Sequence, residues 1–267
     1  MTLGAVFATI VARTVTPTSS GLLVLPLELL LAALGGALWA SLAAVLKVRG
    51  NVNEIFGGVA LNFIAQNVLL FLLDNWWKSG NYPQTAPFED PALFPSLVRD
   101  LSLSIPAILL AVAGFLLVFF ILRGTHWGLQ LRAMGRSQRS AFLLGVRTER
   151  NVMLSMMMCG ALAGLAGALL VLSPISRGRL VPNVSSGIGF LGVLVVLLVN
   201  VQPLWVPLIA LFFAVVPIGT LQLQVSELRI DPSLGNVFQS AVVLAVLLSD
   251  GIRARISARQ QGARGDS

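Results

Sequence analysis

Three amide side chains, Asn62, Gln66 and Asn67, interrupt the apolar run GGVALNFIAQNVLLFLL. Asn62 and Gln66 stand four apart, so on a helix they share a face. Hydrocarbon cannot satisfy an amide, which therefore turns toward neighbouring helices or an aqueous cavity. Two readings follow: interhelical hydrogen bonds, each contributing about 0.6 to 2 kcal/mol, or contact with a solute. An amide both donates and accepts, which suits a neutral polyhydroxylated or heterocyclic solute better than an ion.

A second group is the segment from Gly128 to Arg150, GLQLRAMGRSQRSAFLLGVRTER. Leu131, Met134, Phe142, Leu143 and Leu144 alternate there with Arg132, Arg136 and Arg139. It is too charged to cross a membrane and too apolar for a solvated tail. The spacing predicts a short amphipathic helix with small-residue turns at Gly135 and Gly145. An amphipathic helix can lay its apolar side into a partner's groove.

The remaining chemistry is sparse. No G-x-x-x-x-G-K-[ST] loop occurs, and neither lysine, Lys47 or Lys78, follows the glycines that cradle phosphate. The chain is expected not to cleave ATP, not to be an enzyme and to use no cofactor. One cysteine, Cys159, and one histidine, His126, cannot make a Cys/His metal site or an internal disulfide. Cys159 is read as a small packing residue and His126 as an interfacial one. Glu28 opens a long apolar run, where the interface is expected to hydrate it.

Composition sets the solvent. Of 267 residues 56% are apolar and 11% charged, with mean hydropathy +0.87, whereas soluble domains carry about 25% charged residues. The net charge of +7 does not point to nucleic acid, because the arginines sit between apolar runs rather than among exposed aromatics. Apolar runs fall near 1–12, 22–46, 56–73, 103–122, 151–172, 187–201, 203–222 and 235–250. The expectation is all-α: a polytopic helical bundle of about eight crossings, with residues 1–250 as the membrane domain and 251–267 as a cytoplasmic polar tail. Taking 123–150 as cytoplasmic puts twelve of the 18 basic residues on that side, as the positive-inside rule requires. Both termini are then cytoplasmic and the loop 74–100 external. Between 187–201 and 203–222, Asn200, Gln202 and Pro203 make either a tight turn or a partly crossing helix pair around a pathway.

Small residues recur at helical spacing: Gly36, Ala40 and Ala44 in one run, Gly160, Gly164 and Gly167 in another. Such stripes let helix backbones approach closely in lipid.

The run GLQLRAMGRSQRSAFLLGV, then GALAGLAGALLVL, then GIGFLGVLVVLL with a later Pro203, resembles the branched-chain amino acid, ribose and nucleoside permease family of ABC importers. The family's Leu-Arg-Ala-x-Gly pattern, with Ala and Gly downstream, falls on Leu131, Arg132, Ala133, Gly135, Ala141 and Gly145, and the resemblance implies that this stretch docks into the ATPase. Its Gly-x-Gly-Phe element falls on Gly187, Gly189 and Phe190. LKVRGNVNEIFGGVALNFIA, with Asn53 and Glu54, and GNYPQTAPF resemble the nucleoside and simple-sugar subgroup. The implied partners are ABC ATPase subunits, a second permease chain, identical or homologous, an external substrate-binding protein and membrane lipid, in a bacterial cytoplasmic membrane. Asn62, Gln66, Asn67 and Phe190 are the expected pathway residues. A branched-chain amino acid permease of the same family and a passive channel are the rival readings. Two departures stand out: family members carry further helices and a Gly-x-Glu-Gly element before the position of Met1, so N-terminal helices are expected to be missing here. Arg136, Ser137 and Gln138 also replace the usual Asn-Pro after the docking glycine.

Overall fold

A computed structural model describes residues 1–14, 21–88, 93–94, 104–173, 178–185, 187–199 and 202–225, together with single positions between 237 and 248. The expected tail 251–267 and most of the run 235–250 lie outside the described residues. The chain divides into two units, Met1–Ser186 and Gly187–Ser267.

The first unit holds seven helices among the described residues: α1 (Thr2–Thr14), α2 (Gly21–Val48), α3 (Glu54–Leu72), α4 (Ile105–Gly124), α5 (His126–Arg136), α6 (Gln138–Leu143) and α7 (Thr148–Leu172). A π-helical turn, Leu73–Trp77, extends α3. Its core is the trio α1, α2 and α7, and the small-residue spacing explains why. A Cβ on Gly36 would strike the Gly160 carbonyl and the Gly164 backbone; one on Gly160 would meet the Ala40 methyl and Gly36. A Cβ on Gly164 would meet the Ala32 carbonyl, and Gly4 of α1 packs on Gly164 in turn, while Gly167 faces the Met1 carbonyl. Backbones in such contact gain dispersion energy that lipid tails cannot compete for. Apolar side chains close the rest: Ala5, Ala8, Val24, Ala168, Val171 and Leu172 are all buried.

α2, α3 with its π turn, α4 and α7 are long and apolar enough to cross a membrane. Outward-facing leucines on α2, such as Leu30, Leu34 and Leu38, remain exposed, as lipid-facing side chains do. α3 starts cleanly because Asn53 caps it, its side chain accepting from the Ile55 N–H at 2.9 Å. Glu54 of that first turn pairs with Lys47 at the end of α2, 3.0 Å away. Each charge stands at the helix end where the macrodipole favours it. Between them Asn51 takes the left-handed conformation, φ 49, which asparagine tolerates.

Glu28 departs from expectation. Its position in sequence suggested a hydrated interface, yet the residue is fully buried and neither carboxylate oxygen has a hydrogen-bond partner among the described residues. The reason is tertiary: α1 and α7 close over α2, a fact invisible in a hydropathy run. An orphaned buried polar group costs about 1 to 3 kcal/mol. Glu28→Leu is therefore expected to raise the thermal unfolding midpoint in detergent; a fall would mean that the carboxylate has a partner.

The second unit holds α8 (Ile188–Leu198) and α9 (Val206–Val225), packed on each other. α8 has 11 residues, about 16 Å at 1.5 Å per residue, too short to cross a hydrocarbon core of about 30 Å. Gly187 opens it at φ 78, a left-handed conformation that glycine adopts without cost. The turn after α8 is held by Gln202 N–H donating to the Val199 carbonyl, 3.1 Å, and Trp205 N–H to that of Gln202, 3.3 Å.

Candidate functional site

Two places in the first unit gather polar chemistry, one near each end of α7. At the first, Gln66 of α3 donates from Nε2 to Oδ1 of Asn183, 3.4 Å away. Asn62, one turn earlier on the same face, is exposed. Asn67 is turned away from this pair and donates to the Phe63 carbonyl of its own helix at 2.8 Å. Gln66 and Asn62 thus share a helix face with an amide partner beyond it, while Asn67 is satisfied locally.

Asn183 sits where it does because its loop is strapped down. The Thr85 N–H donates to the Leu180 carbonyl, 3.2 Å, and the Leu180 N–H returns to Thr85 Oγ1, 3.0 Å. The Phe88 N–H bonds the Gly178 carbonyl, 2.9 Å, and that of Phe94 the Leu172 carbonyl at the end of α7, 3.2 Å. Thr85, Phe88 and Phe94 are buried, and the two rings join the core of α1 and α7. Thr85, Phe88 and Phe94 of the 74–100 loop therefore act as a strap over this end of the bundle. Arg13, at the end of α1, stacks over Trp77 with 5.9 Å to the ring centroid, a cation–π contact.

At the opposite end, α4 turns sharply into α5. Thr125 makes the corner: its hydroxyl donates to the Ile121 carbonyl, 2.7 Å, and accepts from the Gly128 N–H, 3.0 Å, capping α5. Gly128 is required, since a Cβ there would collide with the Ile121 and Leu122 backbone. Leu131 and Ala133 lie half-buried on α5, with Arg132 and Arg136 exposed. Gly135 is not a turn, as the spacing suggested, but belongs to the last turn of α5. The break falls at Ser137, whose hydroxyl caps α6 by accepting from the Ser140 N–H at 3.3 Å. Serine thus opens a helix where the family pattern has Asn-Pro.

α6 ends in a Schellman motif. The Val146 N–H reaches the Ala141 carbonyl, 3.1 Å, the Gly145 N–H that of Phe142, 3.0 Å, and Gly145 is left-handed at φ 81. Ala141 is buried, which aims the next three side chains outward: Phe142, Leu143 and Leu144 are 66%, 79% and 81% exposed. Arg132, Arg136, Arg139 and Arg147 of the same segment are exposed as well. Three consecutive bare apolar side chains on a segment rich in exposed arginines form a knob suited to an apolar socket with acidic surroundings.

Several participants were not singled out by sequence: Asn183, Thr85, Thr125, and a relay of Trp127, Gln130 and Asn151. The Trp127 indole N–H donates to Asn151 Oδ1, 3.1 Å, and the Asn151 amide donates to Gln130 Oε1, 3.0 Å. Asn151 is the only uncharged amide opening the run 151–172, a signal that could have marked it. Gly187 and Gly189 lie in the second unit, at the start of α8, as does Phe190. His126 is the exposed first residue of α5. Cys159 is a free thiol on α7.

The profile of the family described as the permease component of the branched-chain amino acid transport system matches residues 1–247. The guanosine ABC transporter permease of Bacillus subtilis is 30% identical over 234 residues, covering 86% of this chain and 66% of the relative. The glucose ABC transporter permease of Haloferax volcanii is 30% identical over 259 residues, 93% of this chain and 67% of the relative. A nucleoside ABC transporter permease of Lactococcus lactis is 27% identical over 220 residues, 80% of this chain and 68% of the relative. This chain thus spans about two thirds of the length of these relatives. No solved structure matches it. Apolar helices joined through glycine stripes, an exposed basic and apolar knob, and a family profile that matches nearly every residue agree: the chain belongs to the permease-component family of the branched-chain amino acid transport system.

Proposed function

We propose that this chain is the membrane-spanning permease subunit of an ABC importer in a bacterial cytoplasmic membrane, carrying a nucleoside or simple sugar and taking its work from separate ATPase subunits. The observation that carries the reading is the exposed Phe142–Leu144 knob on a segment whose arginines are also exposed. A chain whose sequence lacks a phosphate-binding loop has a use for such a surface if another protein supplies the energy. Residues 123–150 are then cytoplasmic and the loop 74–100 faces the exterior. A second permease chain and an external binding protein complete the assembly.

Solute passes by alternating access, and Gln66, Asn183 and Asn62 supply amide contacts to it. The relatives named for guanosine, nucleoside and glucose support a neutral polar solute. α8 serves as a half-crossing helix with Phe190 near its start, since broken helices are tolerated where they line a cavity or are buried in protein.

Competition of uptake in cells carrying the full importer, with guanosine, ribose, glucose and leucine as competitors, tests the solute class. Competition by leucine alone would overturn it. In the same cells Gln66→Leu is expected to raise KM about tenfold, the loss of one amide bond of about 1.4 kcal/mol. An unchanged KM would remove Gln66 from the pathway.

A further inference from the structure

The covalent route from the knob to the bundle is poorly suited to carrying force. Between α5 and α7 the chain breaks at Ser137, runs through the 6-residue α6, reverses at left-handed Gly145 and passes Arg147 at ψ 83 before α7 begins. Breaks of this kind absorb a displacement by changing backbone angles. The relay of Trp127, Asn151 and Gln130 bypasses them. Trp127 and Gln130 are three apart and so lie on one face of α5. Both bond the same side chain, Asn151, which is 6% exposed and sits in the first turn of α7. Two hydrogen bonds at one buried amide, one accepted from Trp127 and one donated to Gln130, fix α5 against α7 in position and in rotation.

What α7 does with such a displacement follows from its other end. It is a 25-residue helix gripped in its second half, at Gly160 and Gly164, by Gly36 and Ala40 of α2 and by Gly4 of α1. Its last carbonyl, Leu172, holds the strap at Phe94, and the strap holds the loop that carries Asn183. Packed glycine contacts leave little room for bending. A push at α5 is therefore delivered at the loop rather than dissipated at Ser137.

We propose that Asn151 is the positioning residue that couples the α5–α6 segment to α7, so that movement imposed on α5 reaches the Asn183 loop. The proposal rests on the reading of α5–α6 as the ATPase-docking surface. Asn151 touches neither the solute nor the ATPase. Its removal should separate nucleotide hydrolysis from movement at the loop.

The test uses the assembled importer with a single reporter thiol, Ser185→Cys in a Cys159→Ala background. Maleimide labelling is compared between the nucleotide-free and vanadate-trapped states. The expected result is a change in labelling rate of about fivefold or more in the parent, lost in Asn151→Leu and in Trp127→Phe, while ATPase subunits remain bound and hydrolysing. Trp127→Phe keeps an aromatic ring and the Asn151–Gln130 bond, so it reports even if Asn151→Leu is poorly folded. A trapping response that survives in both variants overturns the proposal. So does an unresponsive parent, or release of the ATPase by Asn151→Leu, which would give Asn151 a merely structural part. The docking reading fails by a different sign: Leu143→Asp would then leave ATPase association intact.

Discussion

Gly36→Leu is expected to leave no folded protein in the membrane. The first atom added at Gly36 falls on the Gly160 carbonyl and the Gly164 backbone, and neither is the flexible end of a side chain. Overpacking ordinarily costs about 1 to 3 kcal/mol because neighbours shift. Here the neighbour is a helix backbone also held by α1 at Gly4, so relief requires α2 and α7 to separate. Separation uncouples the trio around which the first unit is built, and no equivalent contact replaces it. A total stability of about 5 to 15 kcal/mol does not survive that loss. Gly135→Leu serves as the control, because nothing lies near that position. Size-exclusion chromatography after mild solubilisation should give a monodisperse species for Gly135→Leu and none for Gly36→Leu; equal behaviour would place the glycine stripe outside the fold's main contact.

Leu143→Asp combined with Leu144→Asp is expected to abolish co-purification of the ATPase while leaving the permease folded. Both side chains are about four-fifths exposed, so the charges cost the isolated chain little. In a desolvated socket each unpaired carboxylate would cost several kcal/mol. Two of them exceed what a coupling interface can absorb, and solute uptake should fall to background. Gly145→Ala should act in the same direction but more weakly, since it strains the left-handed residue by about 1 to 2 kcal/mol and turns the knob aside. Retained co-purification with both aspartates in place would mean that the knob serves another purpose.

How far the sequence could be read depends on the range of the information. Helices α2, α3, α4 and α7 were legible because each is written as an apolar run in its own twenty-odd residues. The small-residue faces were legible too, since spacing alone decides that Gly160, Gly164 and Gly167 line up. The left-handed turn at Gly145 followed from residue type. Pairings across the chain were not legible. Gln66 meets Asn183 across 117 positions, and Thr85 meets Leu180 across 95; no local period encodes either. Glu28 was misplaced for the same reason, because its burial is imposed by α1 and α7. Gly135 was taken for a turn on composition, whereas the hydroxyl of Ser137, a few positions on, caps α6 and sets the break.

The site divides in the same way. Asn62 and Gln66 could be singled out because amides are expensive in an apolar run. Asn151 opens a run instead of interrupting one, so its depth became apparent only once Trp127 and Gln130 had been brought over it.

A photo-crosslinking amino acid at position 143, irradiated in intact cell membranes carrying the complete importer, tests the central claim most directly. The account requires a covalent product with the ATPase subunit, made from the cytoplasmic side. Modification of the same position by a membrane-impermeant reagent added outside the cell would contradict it.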